Sequence, residues 1–233
     1  MNDSSFGRLI GVLVSPGATF KSIAQRPTWA VAMVVLIGLI LVMTVLMFQR
    51  VDFAEMMRQQ MAERGQDVPA SMENAGGGMV GCYAAAGAVA WIAGLLILAA
   101  LFLVFNLFGG QIRYVTSLSV LLHAMMPFAV STLLGIPVIL SRAAISMEEI
   151  KSGGLLPSSL GILAPEDASP RLLAFLTSFE FFTFWTLILL IIGYSLAARV
   201  SKKTATITVL SLWALTVLLR VGLAGFGPMG GAN

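Results

Sequence analysis

Long apolar runs alternate with short polar segments along this chain of 233 residues. A membrane-spanning helix needs about 20 mostly apolar residues, because the hydrocarbon core is about 30 Å thick and each helical residue rises about 1.5 Å. Five runs have this length, and they predict spans at residues 30–48, 79–108, 115–141, 172–198 and 205–225. The predicted fold is therefore all-α: a polytopic membrane protein with a bundle of five transmembrane helices over residues 30–225.

The segment before the first span, residues 1–29, also has apolar residues at helical spacing, namely Phe6, Leu9, Ile10 and Leu13. Pro16 fits the first position of a second short helix, and Pro27 closes that helix. The pattern predicts a cytoplasmic amphipathic segment that lies in plane on anionic lipid, docks a partner, or packs under the bundle. Residues 226–233 are expected to form a short flexible tail.

The basic residues predict an orientation, because short cytoplasmic loops of membrane proteins are enriched in Lys and Arg. With the N-terminus cytoplasmic, the short inner segments contain a single acidic residue, Asp3, and a dense set of basic residues. These basic residues are Arg8, Lys21, Arg26, Arg113, Arg199, Lys202 and Lys203. The outer segments are longer and contain most of the acidic residues. The charge pattern therefore predicts a cytoplasmic N-terminus and a C-terminus outside.

The composition argues against several classes of function. Hydrophobic residues make up 58% of the chain and charged residues 11%, whereas a soluble domain has about 25% charged residues. One cysteine and one histidine are too few for a zinc site of several such ligands, and a Cys/His nucleophile pair is not expected either. The basic residues form no stripe with interleaved aromatic residues. We therefore expect no enzymatic activity, no cofactor, no metal and no nucleic-acid partner.

Two ionisable residues fall inside predicted spans, where charge is costly and rarely faces lipid. His123 lies in the third span and Glu180 in the fourth, at comparable predicted depths. If the two helices touch, this possible intramembrane polar site is either a proton or ion relay or a hydrogen-bonded pair that fixes helix packing. The relay supports an alternative function, a small transporter or channel for ions, protons or lipid.

Two further patterns within the spans concern helix packing. Small residues recur every four positions in the second span, at Cys82, Ala86, Ala90 and Gly94. This spacing lets another helix approach closely, and that helix is expected within the chain, with a second copy of the chain as the alternative. In the third span, Pro127 predicts a kink that is either structural or lines a functional cavity.

Several short motifs follow one another in a specific order. Pro16, Phe20, Ile23 and Pro27 lead directly into the first span, and Phe108-Gly109-Gly110 separates the second span from the third. Pro127 comes next, followed by the motif that comprises Glu180, Phe181, Phe182, Trp185, Leu189 and Gly193. In this order and spacing the chain resembles the bacterial Yip-domain (Ypt-interacting protein) family of five-span membrane proteins.

The resemblance implies five spans, a cytoplasmic N-terminus, a place in the bacterial inner membrane and no catalytic residues. Eukaryotic relatives bind Rab-type GTPases, but Glu180 stands where the family commonly has Asp. Bacterial relatives look like accessory membrane proteins, some of them associated with ABC-type exporters. The expected function is a non-enzymatic accessory subunit or membrane organiser. Its expected partners are membrane lipids and either other membrane subunits or further copies of the chain.

Overall fold

The structure, a computed structural model, describes residues 4–50, 76–142, 156–165 and 167–224. The tail predicted at 226–233 lies outside these residues, as does the end of the fifth predicted span at Gly225. Within the described part, the secondary structure is helical except for one isolated β-bridge between Ser159 and Glu180. The prediction of an all-α fold is confirmed.

The helices follow the predicted order. The N-terminal segment forms α1 (Ser5–Val14) and α2 (Pro16–Gln25). The next helices are α3 (Ala30–Phe48), α4 (Gly76–Leu101) with a 3-10 extension (Phe102–Phe108), α5 (Tyr114–Ala124) and α6 (Met126–Leu140). The last part contains a 3-10 turn (Leu160–Leu163), α7 (Pro170–Leu176), α8 (Phe181–Ala197) and α9 (Lys202–Ala224).

Among the residues that the structure describes, four helical stretches are long and apolar enough to cross a membrane: Ala30–Met47, Ala85–Phe108, Tyr114–Leu140 and Lys202–Ala224. Helix α8 is a shorter apolar helix of 17 residues. Pro127 stands in the first turn of α6, where its missing N–H costs no helical hydrogen bond, and the third span is broken at Met125. The chain is a polytopic membrane protein.

The fourth predicted span, residues 172–198, is not one helix. Helix α7 ends at Leu176, and α8 begins only at Phe181, after Glu180 in an extended conformation. The backbone N–H of Leu160 donates to Phe179, and that of Phe181 donates to Ser158. The hydroxyls of Thr177 and Ser178 bond to carbonyls of α7, which offers the backbone an alternative to a continuing helix. Hydropathy depends only on the apolar character of each residue, so it does not predict these contacts or the break in the span.

Helix α8 lies at the centre of the bundle and packs against α2, α5, α6 and α9. More than half of the α5–α6 span is buried, whereas α3, α4 and α9 have few buried residues. Helices α1 and α2 belong to the same core, since Val12, Phe20 and Ile23 are fully buried in it. Three arrangements were predicted for the N-terminal segment. The side that carries Val12, Phe20 and Ile23 packs against the bundle, which is one of the three.

The apolar residues of α1 lie on both the bundle side and the exposed side of the helix. Leu9 and Val12 point into the core, but Phe6, Ile10 and Val14 are exposed. Both sides of α1 are apolar, so the hydrophobic pattern could not identify which side packs on the bundle.

Candidate functional site

The family-motif residues Phe20 and Gly193 meet where α2, α5 and α8 converge. A methyl group on Gly193 would lie 2.7 Å from Cγ1 of Val120 and 3.0 Å from Cε1 of Phe20. Both distances are shorter than an ordinary van der Waals contact, so only glycine lets the Phe20 ring and the Val120 side chain pack directly on α8. Two residues that are far apart in the sequence thus form one packing contact.

The remaining motif residues lie around this contact. Pro16 starts α2, as predicted, and its fixed φ suits that position. Pro27 lies in the connection between α2 and α3. Trp185 is partly buried against the core, and its ring lies 6.0 Å from that of Phe181. These residues shape helix ends and packing, which is a structural role.

An aromatic and hydroxyl cluster that the hydrophobic pattern did not predict lies beside Gly193. The Tyr194 ring is fully buried and stacks on Phe102 and Phe105, with centroid distances of 4.2 and 5.2 Å. Its hydroxyl lies 2.9 Å from Oγ of Ser117, which in turn donates to the carbonyl of Ala99 at 2.7 Å. The cluster joins α4, its 3-10 extension, α5 and α8. The tyrosine within an apolar span was the available signal, because a buried phenol needs a hydrogen-bond partner.

A second polar junction attaches the N-terminal helices to the bundle. Arg8, one of the basic residues assigned to the inner segments, is buried. Its guanidinium donates to the carbonyl of Arg26 at 2.7 Å and to the hydroxyl of Thr28 at 3.0 Å. Thr28 and Ser119 are bonded reciprocally: the Thr28 N–H donates to Oγ of Ser119, which donates to the Thr28 carbonyl. Arg8 therefore holds α1 on the α2–α3 connection.

His123 also belongs to this junction. Its Nδ1 lies 2.8 Å from the Ser119 carbonyl, one helical turn earlier, and the side chain is buried. The Glu180 carboxylate accepts from the hydroxyls of Ser158 and Thr183, both at 3.1 Å. None of the described hydrogen bonds joins the two residues. Glu180 lies at a break between helices, and not inside a continuous fourth span as predicted.

The small-residue stripe of α4 lies on an uncovered face. Ala86, Ala90 and Gly94 are exposed, and a methyl group on Gly94 would meet no atom within 4 Å. Leu95 and Ala99, on the other side of the helix, are buried. No described helix of the chain therefore occupies the stripe, contrary to the expected internal neighbour. The side chain of Cys82 lies outside the described part.

The described polar groups are arranged for packing. Among the buried described side chains, only Oγ1 of Thr186 has no hydrogen-bond partner. Within the described ranges, no group of three His, Cys, Asp or Glu side chains is placed to hold a metal ion. Arg8, Ser117, Ser119 and His123 all bond to backbone carbonyls of neighbouring segments or of their own helix. The arrangement fixes helix positions.

Comparison with known proteins finds matches over most of the chain. Residues 10–223 match the Yip1 domain. The chain is also 26% identical over 219 residues to Membrane protein YknW of Bacillus subtilis (strain 168), a match that covers 91% of this chain and 88% of that protein. No solved structure matches the chain significantly.

Proposed function

Because the chain belongs to the Yip1 domain family, we propose that it is a non-enzymatic accessory subunit or membrane organiser that binds another membrane protein. A subunit of an ABC-type exporter is the partner class that we favour. The buried polar side chains support this proposal, since their described hydrogen bonds hold helices together. A protein that works through assembly needs a rigid bundle and an open face, and it needs no reactive group.

The observation that carries the proposal is the open small-residue face of α4. Ala86, Ala90 and Gly94 are exposed one turn apart, while Leu95 and Ala99 attach the opposite side of the helix to the bundle. Transmembrane helices associate through such small residues, because the backbones come close enough for dense packing without a hydrophobic driving force. We propose that a helix of the partner packs on this face.

The alternative, a small transporter or channel, has less support. It predicts a water-accessible path past His123 and Glu180. Their described hydrogen bonds instead go to Ser119 for His123 and to Ser158 and Thr183 for Glu180. These bonds give each side chain a local structural role.

The open face is tested by substituting Ala90 with leucine. The Ala90→Leu side chain would keep the partner helix from the α4 backbone, so we expect co-purification of the partner in gentle detergent to fall at least about tenfold, a loss of ~1.4 kcal/mol. Ala85→Leu is the matched control, because Ala85 is exposed on a different side of the same helix. Equal recovery of the partner with both variants would rule out this face.

The orientation is also a proposal: the inner membrane of a bacterium, with the N-terminus cytoplasmic and the C-terminus outside. The basic residues near the helix ends support it. In a Cys82→Ser background, a membrane-impermeant thiol reagent added to spheroplasts is expected to label Asn233→Cys but to label Ser4→Cys only after lysis. Labelling of Ser4→Cys in intact spheroplasts would contradict this orientation and indicate the opposite one.

A further inference from the structure

One end of the bundle contains an open cavity of about 520 Å³ between α2, the start of α5 and the end of α8. Three basic side chains from separate parts of the chain line it: Lys21, Arg113 and Arg199. The remaining lining residues are Ala24, Gln25, Gln111, Thr116, Leu196 and Ala197. We refer to this space as the basic cavity.

Two turns that pack on each other build one side of the basic cavity. Gly109 has a φ of +79°, and a methyl group on Gly110 would lie 2.8 Å from the Phe105 carbonyl oxygen and 3.1 Å from that of Ala198. The backbone N–H of Gln111 donates to the Ala198 carbonyl at 3.1 Å. Arg199 follows with a φ of 57°, which is uncommon for a residue other than glycine. This contact brings Arg113 and Arg199 to the same cavity.

The charge of the basic cavity favours an anion. Its lining contains three cationic side chains and no Asp or Glu, and the two Gln amides and the Thr116 hydroxyl add further hydrogen-bond donors. Guanidinium groups bind phosphate oxygens in a bidentate manner, and a Lys ammonium adds a point charge. Some phospholipids have a quaternary ammonium or a protonated amine beside the phosphate. The lining residues offer no carboxylate to pair with such a cation.

A second, mostly apolar groove of about 500 Å³ adjoins the basic cavity along α2 and α8. Lys21 and Leu196 line both spaces, and Gly17, Ala18 and Ile192 supply apolar wall to the groove, whose lining also includes Ser195 and Lys202. A charged space that continues into an apolar groove, at the end of a membrane bundle, matches a molecule with an anionic head and a hydrocarbon chain. Free phosphate would use only the basic cavity.

We propose that these two spaces form one binding site for an anionic phospholipid. The basic cavity takes the phosphate and the groove takes the first part of an acyl chain. Because α2, α5 and α8 each contribute a wall, a bound lipid ties α2 to the bundle. This site goes beyond the proposed function and does not depend on a partner protein.

The test uses the full chain, delipidated in detergent, with phosphatidylglycerol, phosphatidylcholine or inorganic phosphate as the probe. Binding is followed by native mass spectrometry and by the shift of the unfolding temperature. We expect phosphatidylglycerol to bind at least about tenfold more tightly than phosphatidylcholine, because both have the same phosphate but the choline cation would lie against Lys21, Arg113 and Arg199 with no carboxylate among the lining residues. Equal binding of both lipids, or a full effect from inorganic phosphate alone, would overturn the proposal.

Two variants separate the two parts of the site. Arg113→Gln is expected to weaken phosphatidylglycerol binding about tenfold, whereas Lys203→Gln, which removes an exposed charge outside the cavity lining, is expected to leave it unchanged. Ala18→Trp fills the groove while all charges stay, so it should weaken the lipid but not inorganic phosphate. Unchanged lipid affinity in both Arg113→Gln and Ala18→Trp would contradict the site. Unfolding temperatures measured without lipid show that each variant is folded.

Discussion

At the scale of single residues, the fold depends on close approach at Gly193. The Phe20 ring and a Val120 methyl group occupy the space that a side chain on α8 would need. Tyr194, the next residue along, anchors the same stretch of α8 through Ser117 and two aromatic rings. A single small residue therefore allows the N-terminal helices to join the bundle.

Gly193→Ala is predicted to destabilise the protein by about 1–3 kcal/mol, because overpacking a close-packed core forces the neighbouring side chains to move. The readout is the unfolding temperature in detergent. Gly38→Ala is the matched control, since Gly38 is also helical but a methyl group there meets no atom within 4 Å. That variant should be as stable as the parent protein, because alanine favours a helix more than glycine does. An equal unfolding temperature for the two variants would contradict this packing account.

At the scale of elements, α1 is held on the bundle by buried polar contacts as well as by Leu9 and Val12. The Arg8 guanidinium bonds to the Arg26 carbonyl and the Thr28 hydroxyl, beyond the end of α2. Such charge-assisted bonds in a buried place contribute more than exposed ones. A substitution at Arg8 should therefore weaken the docking of α1 more than it destabilises the rest of the fold.

Arg8→Met is predicted to raise the hydrogen-exchange rates of α1 amides by at least about tenfold, because methionine keeps the apolar stem and loses bonds of about 1.5–3 kcal/mol each. Exchange in α5 and α8 should change far less, because their contacts with each other remain. Arg26→Met removes an exposed guanidinium nearby and serves as the control. Exchange rates in α1 that match the parent protein would show that Arg8 does not hold this helix.

Sequence reasoning succeeded for the elements whose signal is local. The apolar runs predicted α3 and α9 well, and Pro16 marked the start of α2. It failed at the fourth span, where the pairing of Ser159 with Glu180 interrupts the helix. Ser159 and Glu180 lie in two separate segments, so the sequence pattern of neither segment predicts their pairing.

The candidate sites were harder to predict, because they depend on which faces meet. Phe20 and Gly193 were identified only as motif residues, and their contact needs three helices in place. Arg8 was interpreted from its charge, although its environment is buried. His123 and Glu180 were paired by predicted depth, which does not predict their hydrogen-bond partners: Ser119 in the same helix for His123, and Ser158 in a separate segment for Glu180. Local patterns predict elements, and contacts between distant segments decide the roles of these residues.

At the scale of the whole molecule, packing is uneven around the bundle. The α5–α6 span and α8 form the interior, and α3, α4 and α9 leave broad apolar faces uncovered. Lipid can cover most of this area, but the small-residue stripe of α4 is shaped for another helix. The molecule therefore combines a rigid centre, a basic cavity at one end and an open helical face.

The most direct test of assembly with another membrane protein is the composition of the particle that carries this chain in its own membrane. The chain would be released in a gentle detergent, and the proteins recovered with it would be identified and quantified by mass spectrometry. We predict a second membrane polypeptide in a fixed ratio to the chain, with an ABC-type exporter subunit as the expected class. Recovery of the chain alone, or only with copies of itself, would contradict the proposed function.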